Sequence, residues 1–175
     1  DEVLGNITPA TRLIIINSPA NPTGGATPKT EMDKLVAGLR DHPAVAVLSD
    51  EIYSHMLYED RNHVSLLQYN EMRDRTIMLD GWSKTYAMTG WRLGFAVWPK
   101  AIADTATRLA INCHSCVNAP TQFAGIAALE GPHDQVTTMV KAFNDRRKVI
   151  VPALNQIPGF KCVDPGGAFY AFPNI

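Results

Sequence analysis

The sequence predicts an α/β fold: a mostly parallel sheet with helices, followed by the start of a smaller α+β unit. Three observations predict it. Short continuous apolar runs recur at 12–16, 44–48 and 76–79, longer helix-like segments lie between or after them, and out-of-place polar residues follow each run. Continuous β-branched runs suit strands covered on both faces, and strands alternating with helices build parallel sheets. With 175 residues the chain can hold one sizeable core plus part of a second unit.

The run RLIII at 12–16 reads as a buried strand and leads into SPANPTGG at 18–25, dense in turn formers. Thr27 and Pro28 then read as N-cap and first helical residue, with Glu31 in the first turn and Leu35, Val36 and Leu39 on one face. AVAVL at 44–48 is a second buried strand, ending in Ser49-Asp50-Glu51. TIML at 76–79 is a third, and 91–97 a fourth after a short connection. From 100 to 130 the composition is helical with a break at Asn118-Ala119-Pro120, and a second helix covers about 136–150. Beyond Gly159, strand-like stretches at 160–163 and 168–172 flank a Pro-Gly-Gly turn. Residues 1–135 are therefore expected to form part of a large, ligand-binding domain, and 136–175 a linking helix and the start of a small C-terminal domain.

Bulk properties narrow the function. The net charge of −1 offers no basic field for nucleic acid and no polybasic patch for a membrane. No apolar run in these residues is long enough to span a bilayer, and no signal peptide is expected. Three cysteines suggest no disulfide framework, so a reducing, cytoplasmic setting is the expectation. Cys113-His114-Ser115-Cys116 has redox-motif spacing but no preceding strand, and reads as structural. His42, His55, His63, His114 and His133 are scattered and propose no metal site. The chain opens without Met and stops on a strand-like run, which reads as a piece of a longer protein.

In open α/β sheets ligands gather beyond the carboxyl ends of the strands. Asn21 follows the first strand, Asp50 and Tyr53 the second, Ser83 and Lys84 the third. Asp50 can cap a helix, pair internally, or meet a cationic ligand atom. Lys84 can snorkel from a packed turn, or serve as a desolvated amine nucleophile or base. Arg92, between Gly90 and Gly94, can pair with an acid or fork onto a phosphate or carboxylate. Taken together, an amine, a carboxylate, a guanidinium, a phenol and an amide fit one ligand, pyridoxal phosphate (PLP).

Three blocks, SPANPTGG, SDEIYSHMLYE and GWSKTYAMTGWRLGF, and the later PGGAFYAF, carry a resemblance to the class I/II aminotransferases. These are fold-type-I PLP-dependent enzymes, and the aspartate-aminotransferase-like branch is the most similar. The resemblance runs over nearly the whole chain. It implies that Lys84 forms the Schiff base with the cofactor aldehyde and acts as general base. It further implies that Asp50 pairs with the pyridinium, that Asn21 and Tyr53 bond the phenolic oxygen, and that Arg92 and Ser83 contact the phosphate. Where a serine is common three residues before the lysine, this chain has Gly81.

The implied activity is amino transfer between an amino acid, aspartate or aromatic, and a 2-keto acid, in a homodimer. Other expectations on the same fold are a Cβ lyase or synthase and the sensor domain of a transcription regulator. A dinucleotide-binding domain lacks its G-x-G-x-x-G after the first strand. The resemblance also implies that the glycine-rich phosphate loop and the ring-stacking aromatic lie before residue 1, and the carboxylate-binding arginine after residue 175. The fragment alone is accordingly expected to be inactive. Trp82 and Trp91 read as core or interface, and Tyr86 and Thr89 as neighbours of the site.

Overall fold

The structure is a computed structural model that describes residues 2–175. A short helix, α1 (Glu2–Gly5), precedes β1 (Leu13–Asn17), and α2 (Lys29–Leu39) carries the chain to β2 (Ala46–Asp50). Two 3-10 turns (Leu66–Gln68, Asn70–Arg75) lead into β3 (Thr76–Gly81), which passes into the single turn of α3 (Trp82–Thr85). After a 3-10 turn at Thr89–Trp91 come β4 (Gly94–Val97) and three helices: α4 (Lys100–His114), α5 (Ala119–Glu130) and α6 (Asp134–Asn155). A small ribbon, β5 (Lys161–Cys162) with β6 (Pro173–Asn174), ends the chain.

The four strands form one sheet in the order β1-β2-β3-β4, with β1–β2 and β2–β3 parallel and β4 antiparallel. The mostly parallel α/β sheet expected from the sequence is thus present. Its register sets Asn17 beside Asp50, and Asp50 beside Leu79. Three loops separated by dozens of residues therefore leave the sheet side by side at its carboxyl edge. The core beneath consists of Met32, Val36 and Leu39 of α2, Val47 of β2, and Leu66 and Met72 of the 3-10 turns, all essentially closed to water. Each such side chain contributes on the order of 1.5–3 kcal/mol by leaving water.

Several local expectations are corrected. The first strand was expected to be covered on both faces, yet Ile15 is 68% exposed, because no element among the described residues packs over that face of β1. Pro28, not Thr27, holds the N-cap position of α2; its extended backbone (ψ 157°) keeps it out of the helix, while Glu31 and Met32 donate to its carbonyl. The fourth strand starts at Gly94 rather than 91, since Thr89–Trp91 closes a 3-10 turn and Arg92 is left-handed (φ 55°). A break between two helices occurs as expected but lies at 115–118: Asn118 caps α5, its Oδ1 accepting from Thr121 N (3.0 Å), and Ala119 and Pro120 already belong to the first turn of that helix. The last long helix is 22 residues, extending past the expected 136–150 at both ends and keeping Pro152 near its close.

Residues 168–172 are not a strand. Residues 165–170 form a strap pinned across the sheet's carboxyl edge. Gly166 and Gly167 N donate to Gly24 O (2.8 and 3.0 Å), Tyr58 N donates to Gly166 O (3.1 Å), and Ala168 N donates to Met56 O (2.8 Å). Residues 166–168 thus spend their backbone groups on the loops at 24 and 56–58, and the partner of Lys161–Cys162 in the ribbon is Pro173–Asn174 instead. Arg147 of α6, 5% exposed, secures the strap from behind through Asp164 (3.0 Å), Pro165 O (2.9 Å) and Glu59.

Candidate cofactor site

Asp50, the last residue of β2, opens the site. Its backbone carbonyl accepts from the Asn17 side chain (3.0 Å) and Ser18 N (3.3 Å), which ties the first loop to the second. Its Oδ1 accepts from Ile52 N (3.2 Å), while Oδ2 has no hydrogen bond among the described residues. Asn21 lies on the first loop, its backbone N–H donating to Asn17 Oδ1 (2.6 Å) and its own side chain exposed. Tyr53 is 3% exposed, with its hydroxyl 2.5 Å from that of Tyr170 on the strap. Burial above all, together with the Asp50 charge, pushes the Tyr53 phenol well above its ordinary range, and the nearby Asn21 amide pulls the other way. Tyr53 consequently stays a protonated hydrogen-bond donor at any physiological pH.

Lys84 lies in the turn of α3, directly after β3, half-buried with its Nζ 5.7 Å from the Phe169 ring centroid. Phe169 in turn meets Tyr53 edge-on at 5.5 Å. Phe169 and Tyr170 of the strap thus link Lys84 to Tyr53, and Asp50 and Asn21 both act on Tyr53. Ser83 is half-buried in the same turn. Arg92 stands further out, exposed, at the end of a loop that folds back over α3; one of its nitrogens donates to Thr89 O (2.9 Å). It has no ion pair among the described residues, so the rest of its fork is open to an anion.

The glycine at 81 has a packing reason. A Cβ there would come within 2.9 Å of both Gly94 Cα and Leu93 O, so β3 and β4 approach too closely for any side chain. The donor set fits PLP: an amine, a carboxylate oxygen free to take a ring N–H, a protonated phenol and an open guanidinium lie on adjacent loops. An apolar hollow of about 340 Å³ lies behind the strap, between Phe143, Ile150 and Tyr170, and touches none of the sequence-predicted residues.

Sequence reasoning missed Tyr170, Phe169 and the buried Glu51. Glu51, 5% exposed, points away from Asp50 and accepts from Ser49 Oγ (2.9 Å), Ser65 Oγ (2.8 Å) and His63 Nε2 (2.7 Å). Two acids in succession at a strand end were the available signal, because successive side chains face opposite ways. Trp82 is a packing residue, its Nε1 donating to Gly125 O (3.0 Å), whereas Trp91 is 49% exposed. Cys113 and Cys116 are exposed free thiols, and no metal-binding cluster occurs among the described residues.

The sequence profile of the family described as aminotransferase class I and II matches residues 1–175. The chain belongs to this family. An aspartate aminotransferase of Geobacillus stearothermophilus is 44% identical over 96% of this chain and 43% of its own length. One of Pyrococcus horikoshii is 42% identical over 100% of this chain and 44% of its own. Among solved class I and II structures, the Rhizobium meliloti aspartate aminotransferase superposes with a TM-score of 0.94 at 36% identity, covering 98% of this chain and 43% of that one. An aromatic aminotransferase from P. horikoshii gives 0.94 at 38% identity, over 99% and 47%. The chain thus spans less than half the length of the aminotransferases it matches.

Proposed function

We propose that the complete protein is a PLP-dependent aminotransferase exchanging an amino group between an amino acid and a 2-keto acid. Aspartate or an aromatic amino acid is the donor, in line with the relatives' names. The observation that carries the reading is the sheet register, which sets the loops bearing Asn21, Asp50–Tyr53 and Lys84 side by side at one edge. A cytoplasmic homodimer is part of the same proposal. Exposed free cysteines support the reducing compartment, and no helix among the described residues could cross a membrane.

PLP, when bound, supplies an aldehyde for the amino group and a protonated ring that takes up the electron pair left at the substrate Cα. Lys84 would anchor that aldehyde and, when its amine is free, would hold or take up a proton at Nζ as general base. Asp50 would hold the ring-nitrogen proton. Tyr53 and Asn21 would donate to the phenolic oxygen, while Arg92 and Ser83 would bind the phosphate. Residues 1–135 would belong to the cofactor-binding domain and 136–175 to the helix and start of the small one.

Borohydride reduction of the complete protein with PLP, followed by peptide mapping, tests the reading. One adduct on Lys84, lost in Lys84→Ala together with transamination, is the expected result. Labels spread over many lysines would reject the cofactor assignment.

A further inference from the structure

The contact between Tyr53 and Tyr170 joins residues 117 positions apart. Two hydroxyls 2.5 Å apart can share one hydrogen only, so one phenol donates and the other accepts. Tyr58, the other buried tyrosine beside the strap, spends its hydroxyl on the Ala168 carbonyl. Tyr170 is more exposed than Tyr53, and its ring packs tilted against Phe169 at 4.8 Å and edge-on against Tyr53 at 5.6 Å. Its backbone carbonyl faces the position a Gly24 Cβ would occupy, on the same loop as Asn21. Its ring, its carbonyl and its hydroxyl are thus all held against the loops that carry the candidate site.

We propose that Tyr170 is a positioning residue for the cofactor: its hydroxyl donates to the Tyr53 oxygen, which leaves the Tyr53 proton to point at the cofactor's phenolic oxygen. This rests on the PLP reading above. A phenol that accepts a hydrogen bond becomes a better donor, since successive hydrogen bonds polarise one another. The direction Tyr170 to Tyr53 to cofactor is the one that leaves the buried hydroxyl's hydrogen for the ligand. The opposite direction would spend that hydrogen on Tyr170 and present the phenolic oxygen of PLP with a lone pair. Tyr170 lies on the strap and Tyr53 on the loop after β2, so the cofactor's phenolic oxygen is held as firmly as the strap is closed.

The test uses the complete protein, its Tyr170→Phe, Tyr53→Phe and double variants, and free PLP. Two quantities are read: the dissociation constant of PLP, and the pH midpoint of the bound cofactor's visible absorbance. Losing one hydrogen bond of ordinary strength corresponds to roughly three- to tenfold weaker PLP binding in Tyr170→Phe. Weaker donation to an oxygen that carries negative charge also moves the absorbance midpoint to higher pH. In the Tyr53→Phe background, Tyr170→Phe should change neither quantity further. A fluorinated tyrosine at 170, a stronger donor, should move the midpoint to lower pH, and it covers the case in which Tyr170→Phe fails to fold. Unchanged binding and midpoint, or equal shifts with and without Tyr53, would overturn the proposal alone. Failure of the wild-type protein to take up PLP would overturn it together with the reading it rests on.

Discussion

Glu51 and Asp80, at the ends of β2 and β3, are driven in opposite directions by their surroundings. Burial raises the Glu51 carboxyl, but hydrogen bonds from His63, Ser65 and Ser49 outweigh it and hold the group below its ordinary 4.5. Burial raises Asp80 above 3.8, against the pull of the Gly81 N–H, which donates to it at 2.6 Å. A depressed carboxyl contributes stability that is present above its unfolded value and is lost as pH falls through the folded one. A raised carboxyl does the reverse: its contribution is present below the unfolded value and is lost as pH rises through the folded one. Glu51→Gln is therefore expected to destabilise the complete protein at pH 7 by about 1–3 kcal/mol, with the difference shrinking below pH 4. Asp80→Asn, whose side-chain oxygen can still accept from Gly81, is expected to raise stability slightly at pH 7 and to lose that advantage in acid. Denaturant unfolding of both variants at pH 7 and pH 3 checks the two signs, and like signs at pH 7 would contradict the assignment.

Among the elements, the loop at 18–25 and the strap at 165–170 fit each other so closely that one glycine decides the match. Gly24 has φ +68°, and a Cβ there would lie 2.3 Å from Pro165 Cβ and within 3.2 Å of the Gly167 and Tyr170 carbonyls. Gly24→Ala is expected to cost about 1–2 kcal/mol in backbone strain alone, and more as the strap shifts. Thermal unfolding together with PLP titration should show both a lower Tm and weaker binding; an unchanged Tm would mean the strap tolerates displacement. The pattern of apolar runs made the sheet legible in the sequence, because RLIII, AVAVL and TIML are continuous, and the residues after them marked the loops that leave its carboxyl edge. The strap was not legible. Ala168-Phe169-Tyr170 reads like a strand, but Ala168 donates to Met56 and the preceding Gly166 and Gly167 to Gly24, partners more than a hundred residues away, and no local pattern records that. Glu51 was hidden by its own neighbour, since Asp50 alone accounted for an acid at that strand end.

At the scale of the molecule, much apolar surface remains uncovered on these residues. Phe123 is 73% exposed, Leu109 62%, Leu129 55% and Ile15 68%, and α4 contributes no buried residue at all. Soluble proteins rarely leave apolar patches of this kind open. The 175-residue chain expressed by itself is expected to form large, polydisperse assemblies and to bind a hydrophobic dye strongly, while the complete protein stops at its dimer and binds the dye weakly; size-exclusion chromatography with dye fluorescence distinguishes them. The closure of the strap on Gly24 has a consequence in time as well as in space. Gly166 and Gly167 follow Gly24 by more than 140 positions, and at roughly 5–20 residues per second that interval lasts on the order of ten seconds on the ribosome. During synthesis the loop bearing Asn21 therefore waits, its outer side unmet, until the end of this segment has emerged, and the nascent chain acquires its grip on a ligand late.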